Sequence, residues 1–148
     1  MNNCFSASYA NYLVQFSKVT ANDATPREIQ FRLRVGGTDN STASSYQTQR
    51  VGAHTTSTAY AELLQQAQML IEQLSNATQM NATINLTNPF TTDKTGLDLK
   101  ANGYRTTLNF ITVYGQGEHS QTVSYDGFTI ISASGTISGT VRVYGYNS

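Results

Sequence analysis

From Glu28 to Val35 the chain alternates strictly. Ile29, Phe31, Leu33 and Val35 are apolar, and Glu28, Gln30, Arg32 and Arg34 are polar. A period of two sends successive side chains to opposite faces of an extended backbone, so the stretch predicts a strand with one buried and one wet face. Such a half-buried strand belongs to an antiparallel sheet that packs its apolar face on a core. Gly36-Gly37 ends it.

Other stretches carry the same signal. Tyr12, Val14 and Phe16 alternate with Leu13, Gln15 and Ser17, predicting a strand from Tyr9 to Val19. Met80, Ala82, Ile84 and Leu86 alternate with polar neighbours up to Asn88-Pro89. Tyr104 to Tyr114 reads as a strand with Leu108 and Phe110 on one face, followed by a loop from Gly115 through His119. Near the C-terminus, Phe128 to Ile131 and Thr140 to Tyr144 read as two strands joined by turn chemistry at Ser132–Gly135. Gly139 marks a bulge or a close backbone approach.

Between these runs lie polar connections: Thr20–Pro26, Phe90–Gly103, and Thr38–Thr56, whose only large apolar anchors are Tyr46 and Val51. Loops as long as the last bind something or have structure of their own, which makes it a candidate contact loop. Met1 to Ser8 is polar and reads as a flexible arm. Thr58 to Ser75 breaks the pattern: Tyr60, Leu63, Leu64, Ala67, Leu70, Ile71 and Leu74 fall at helical spacing, with Thr58 as N-cap. The spacing predicts an amphipathic helix over 58–75 that covers one end or edge of the sheets. The sum is roughly seven strands and one helix, a mainly β, antiparallel sandwich forming a single domain over 1–148.

The ending Ser134–Tyr146, SGTISGTVRVYGY, carries a resemblance. It resembles the C-terminal end of small tailed-bacteriophage virion proteins with jelly-roll-like β-sandwich domains, which finish on a glycine-punctuated strand and a Tyr-Gly pair, here Tyr144-Gly145. Phe31–Arg34 before Gly36-Gly37, Ser44-Ser45-Tyr46 and Ile84–Pro89 fit the same pattern, so the likeness is spread over most of the chain. The resemblance implies a jelly-roll-like fold and a virion structural protein. That family shares no catalytic motif, and no functional residue carries over from it.

Composition narrows the classes further. A chain of 148 residues can bury about 68–70% of its unfolded surface, enough for a core without metal or disulfide. Charged residues make up 12% of the chain and the formal net charge is zero, so a nucleic-acid partner, which needs a basic patch, is disfavoured. Low charge suits a subunit held in a permanent assembly. Cys4 is alone, which rules out an intrachain disulfide and a thiolate metal cage. No secretion leader and no membrane-length apolar run is visible, so a soluble protein assembled in the host cytoplasm is expected.

Phosphate loops, paired cysteines, His-x-x-x-His and Gly-x-Ser-x-Gly are missing from the sequence. Glu118, His119 and Asp126 are close in sequence, but acid–base work requires convergence in a pocket, which a Gly-rich loop does not promise. No enzyme, cofactor or metal is expected. The residues expected to contact a partner are Arg32 and Arg34 on the wet strand face, Tyr46, Arg50 and His54 in the long connection, and Asp93 and Lys94 in the second loop. The leading expectation is a capsid decoration or cement protein on the outer surface of the head. It would bind the major capsid protein or other virion proteins as a homo-oligomer, with a trimer the base-rate choice. The alternative is a tail, neck or fibre component contacting a host receptor or glycan through its Tyr, Asn and Thr side chains.

Overall fold

The computed structural model describes residues 1–55, 57–76, 78–106 and 109–147, with the side chains of 57–60 outside that description. Its strands are β1 (Asn11–Ala21), β2 (Arg27–Val35), β3 (Thr38–Asp39), β4 (Tyr46–His54), β5 (Ser57–Gln66), β6 (Met69–Leu74), β7 (Met80–Thr87), β8 (Thr95–Thr106), β9 (Asn109–His119), β10 (Gly127–Ser132) and β11 (Ile137–Tyr146). The larger sheet has seven strands in the order β11-β1-β7-β8-β9-β4-β5, and the smaller has four, with β2 between β10 on one side and β3 and β6 on the other. Every strand pair is antiparallel.

The inward residues of both sheets form one core. Val14 and Phe16 of β1, Ile84 and Leu86 of β7, Leu97 and Leu99 of β8 meet Phe31 and Leu33 of β2 and Phe128 of β10. The Phe128 ring stacks on Phe31 at 5.3 Å and meets Phe16 edge-on at 6.3 Å, which ties the two sheets together. The alternation read from Glu28 to Val35 holds for most of β2: Ile29, Phe31 and Leu33 are buried and Arg32 and Arg34 face outward, but Gln30 is enclosed and Val35, at the strand's end, is exposed.

The helix expected over 58–75 is not formed; β5 and β6 occupy that span. Leu63 and Leu64 point to opposite sides of β5, and Leu63 is 65% exposed. The chain then turns at Ala67-Gln68 out of the larger sheet into the smaller, where the register of β6 against β2 skips Ile71. A strand, a turn and a one-residue bulge reproduce the three- and four-residue spacing of a helical stripe. The strong hairpin pairing of β5 with β4 decides the conformation.

Two of the expected loops are also largely strand. Tyr46–His54 of the long connection is β4, and Thr95–Gly103 belongs to β8. The single strand expected from Tyr104 to Tyr114 is instead shared between the end of β8 and the start of β9, and Leu108 lies outside the described residues. The loop expected from Gly115 through His119 is the end of β9, where Gly117 leaves room for the backbone of β4 at Gln47 and Thr48. Gly139 behaves as expected. Its φ is +155°, and it lies against Val19, where β1 carries an extra residue with Lys18 at φ +54°. The side chain of Asn81 accepts a hydrogen bond from the Lys18 amide at 3.0 Å and fixes that bulge.

The segment 1–8, expected as an arm, lies against the sandwich. The Met1 amino nitrogen donates to the Phe128 carbonyl at 2.6 Å and the Phe128 amide to the Met1 carbonyl at 3.0 Å. Phe5 is buried and packs on Tyr12 and Phe128.

Candidate functional site

The outer face of the larger sheet is hollow. A groove of about 1060 Å³ crosses β7, β8, β9, β4 and β5, and a second of about 300 Å³ continues it over β1. Both are lined by Lys100 and Tyr114. The strand registers set the order of side chains across this face. One rung runs Leu13, Asn85, Asp98, Gln116, Gln49, Leu63, and the next runs Gln15, Thr83, Lys100, Tyr114, Val51, Ala61. From β1 to β5 the rungs span roughly 24 Å at the usual interstrand spacing.

The period-two alternation that builds the core also builds this face. In β9, Ile111 and Val113 point inward while Thr112, Tyr114 and Gln116 point outward. In β4, Thr48 and Arg50 point inward while Gln49 and Val51 point outward. The result is a lining of carboxamides and hydroxyls around the half-exposed Tyr114 ring, with Tyr104 and Phe110 paired edge-on at 5.1 Å at the hairpin end of the same face. Charge is balanced: Asp98 and Lys100 lie two residues apart, and Lys94 holds Glu118 at 2.6 Å.

The residues expected to contact a partner do not converge. Arg32 donates to Gln68 at 3.0 Å, and Arg34 pairs with Asp39 at 2.8 Å, both on the outer side of the smaller sheet. His54 sits at the β4–β5 turn beside Asn109. Asp93 and Lys94 are exposed in the β7–β8 connection. Tyr46 and Arg50 are interior groups, and this corrects their expected contact role. Both fall on the inward positions of β4, a strand whose polar sequence hid its alternation. Arg50 is neutralised there by Glu62 at 2.8 Å and Glu72 at 3.6 Å.

Tyr46 belongs to a buried polar chain. Its hydroxyl accepts from the Leu33 amide at 2.7 Å and donates to the Asn40 carbonyl at 3.2 Å. The Asn40 side chain donates to the Tyr125 hydroxyl at 2.7 Å, and that hydroxyl lies 3.2 Å from His119 Nδ1. Because Tyr125 already accepts from Asn40, its own proton is free to point at an unprotonated Nδ1. Burial pushes the Tyr46 phenol up, raises Tyr125 to about 12 and lowers His119 to about 4. His119 is therefore a neutral, structural histidine at physiological pH.

Glu118, His119 and Asp126 do not form an acid–base set. His119 points into the core, Glu118 points out to Lys94, and Asp126 accepts the Gly36 amide at 2.8 Å. Among the described residues no three His, Cys, Asp or Glu side chains are placed to share a metal ion, and no helix is long and apolar enough to cross a membrane. Comparison with protein-family models, curated proteins and solved structures finds no match to the chain.

This outer face is not legible in the sequence, because β4, β5 and part of β8 read there as loop or helix. A usable signal was present in β8, where Leu97, Leu99 and Ala101 alternate with Asp98, Lys100 and Asn102.

Proposed function

We propose that the chain is a non-enzymatic bacteriophage virion structural protein, a decoration or cement subunit that fastens on the head shell as a homo-oligomer. The observation that carries this reading is the condition of the larger sheet's two edges. β11 and β5 are each ten residues long, and in the described structure no further strand pairs with either on its outer side. Soluble monomers blunt such edges with lysines, prolines or short strands. Here β11 carries only Arg142 and β5 only Glu62 as charged residues, with no proline in either. Edges of this kind suit a protein whose neighbours cover them.

The wrapping of the chain supports the jelly-roll-like part of the reading. β1 pairs with β11 in the larger sheet, β2 with β10 in the smaller, and β4 with β9 in the larger again. Nested pairs that alternate between sheets are what a long hairpin makes when it rolls into a sandwich. The residues that carry the phage resemblance, Ser134–Tyr146, supply the outermost of these pairs.

The test is copy number in purified virions, by quantitative mass spectrometry against the major capsid protein. Hundreds of copies per particle are expected. A handful would move the subunit to the tail, neck or a fibre, and absence from particles would overturn the virion reading.

A further inference from the structure

The hollow outer face of the larger sheet has features that neither packing nor assembly through the strand edges uses. The side-chain amides of Asn85, Asn102, Gln49 and Gln116 make no hydrogen bond to another group of the described structure. Tyr114, in their midst and 54% exposed, lines both grooves. A carboxamide offers two donors and an acceptor, and a tyrosine ring offers a flat apolar surface with a polar tip. Polyhydroxyl rings have a complementary make-up, with hydroxyls at the rim and C–H groups on the faces.

We propose that this face binds an extended, uncharged glycan laid across the strands, with Tyr114 as the ring on which a sugar unit stacks. The amides of Asn85, Asn102, Gln49 and Gln116 take its hydroxyls.

Charge selects the ligand class. Asp98 and Lys100 offset one another beside Tyr114, and Glu118 is already held by Lys94. The face therefore has no excess of positive charge for a nucleic acid or a polyuronate. A peptide strand would add to a sheet edge, where backbone groups are free, and gains no main-chain pairing from a face. A second copy docked here would cover the exposed Val51, Leu63 and Tyr114, but it would also strip water from the amides of Asn85, Asn102, Gln49 and Gln116, each of which costs free energy unless the partner supplies a matching polar group. The groove's length across several strands suits a chain of sugar units better than a single one. The inference rests on the chemistry of the face and stands for a head or a tail subunit alike.

Affinity electrophoresis of the full chain tests it, in gels containing dextran, mannan, a galactan or an N-acetylhexosamine polymer, with heparin and a polyuronate as charged controls. Retardation by at least one uncharged polysaccharide is expected, weakened roughly tenfold by Tyr114→Ala. Gln116→Ala combined with Gln49→Ala should weaken it as well, and each variant should keep the wild-type thermal midpoint and circular dichroism. If Tyr114→Ala loses its fold, Tyr114→Thr replaces it, since it suits a strand and also removes the ring, and the same weakening is expected. Retardation by none of the uncharged polymers, by the charged controls alone, or to the same degree in Tyr114→Ala would overturn the proposal. Copy number in the virion reads out separately, so failure here leaves the structural role standing.

Discussion

Arg50 on β4 and Glu72 on β6 face one another across the sandwich, Nη1 to Oε2 3.6 Å, with the Glu72 carboxylate fully enclosed. Each has a second partner that reaches towards solvent: Glu62 lies 2.8 Å from Arg50, and Arg105 lies 2.7 Å from Glu72. Arg50 also donates to the Ile71 carbonyl at 3.3 Å, at the residue skipped by the β6 register. The four charges bridge β5, β4, β6 and β8 and hold the smaller sheet's bulged strand against the larger sheet. Burial of two ions is favourable only when both are paired.

Removing one partner should therefore cost far more than removing both. Glu72→Ala leaves Arg50 with Glu62, takes the carboxylate from Arg105 and opens a void, and should destabilise the protein by about 2–4 kcal/mol in urea unfolding. Arg50→Met combined with Glu72→Leu should recover most of that loss, because apolar groups of similar volume replace the pair. A double variant as unstable as Glu72→Ala would show that the pair's charges, rather than its volume, hold β6 in place.

His119 makes stability depend on pH. Its folded value is lowered by burial to about 4 from an ordinary 6.5, so the unfolded chain takes up a proton first as pH falls. The contribution of neutral His119 is complete above the unfolded value, is lost as pH falls through the window towards the folded value, and is flat below it. Over that window the loss amounts to about 3 kcal/mol. His119→Gln carries no such proton, so its stability relative to wild type should rise by about 2–3 kcal/mol between pH 7 and pH 4.5. Parallel stability–pH curves for the two proteins would remove His119 from the account.

The open edge at β11 yields a prediction about assembly. Thr140 and Tyr144 are exposed on that strand, on the outer face of the sheet. Lysines at both positions, Thr140→Lys with Tyr144→Lys, should blunt the edge without touching the core. Sedimentation should show the wild-type chain as a self-associated species and the double variant as a smaller one with unchanged circular dichroism. A wild-type chain that sediments as a monomer at all accessible concentrations would count against edge-to-edge assembly.

The legible parts of the fold were those where apolar residues sit on every inward position. Ile29, Phe31 and Leu33 gave β2 almost to the residue, and Met80 to Leu86 gave β7. β4 is hidden because its inward positions are Tyr46, Thr48, Arg50 and Gly52, which break the apolar alternation, and the charge of Arg50 is balanced there by Glu62 and Glu72 of other strands. β6 was misread for the opposite reason. A bulge at Ile71 and burial of Met69, Leu70, Ile71 and Leu74 replace alternation with a denser pattern that a helix would also produce. The candidate site is illegible for the same cause, since β4, β5 and part of β8 read as loop or helix. Only the register of four adjacent strands brings Tyr114, Gln116, Gln49, Asp98 and Asn85 together.

The docking of the N-terminal segment depends on a missing side chain. Gly127 opens β10, and a Cβ built there would overlap the carbonyl oxygen of Met1. That carbonyl accepts the Phe128 amide at 3.0 Å, and the amides of Cys4 and Phe5 donate to Asp126 at 2.8 and 3.1 Å. Gly127→Val should therefore lift the segment from β10 while β2 keeps its pairing on the other side. Hydrogen exchange at the Cys4, Phe5 and Phe128 amides should accelerate, with Leu33 unchanged. The loss of stability should be about 1–3 kcal/mol, with partial exposure of Phe5 as its source. Unchanged exchange at those amides would mean that residues 1–5 contribute nothing to closing this side of the sandwich, and that the segment is an arm in solution.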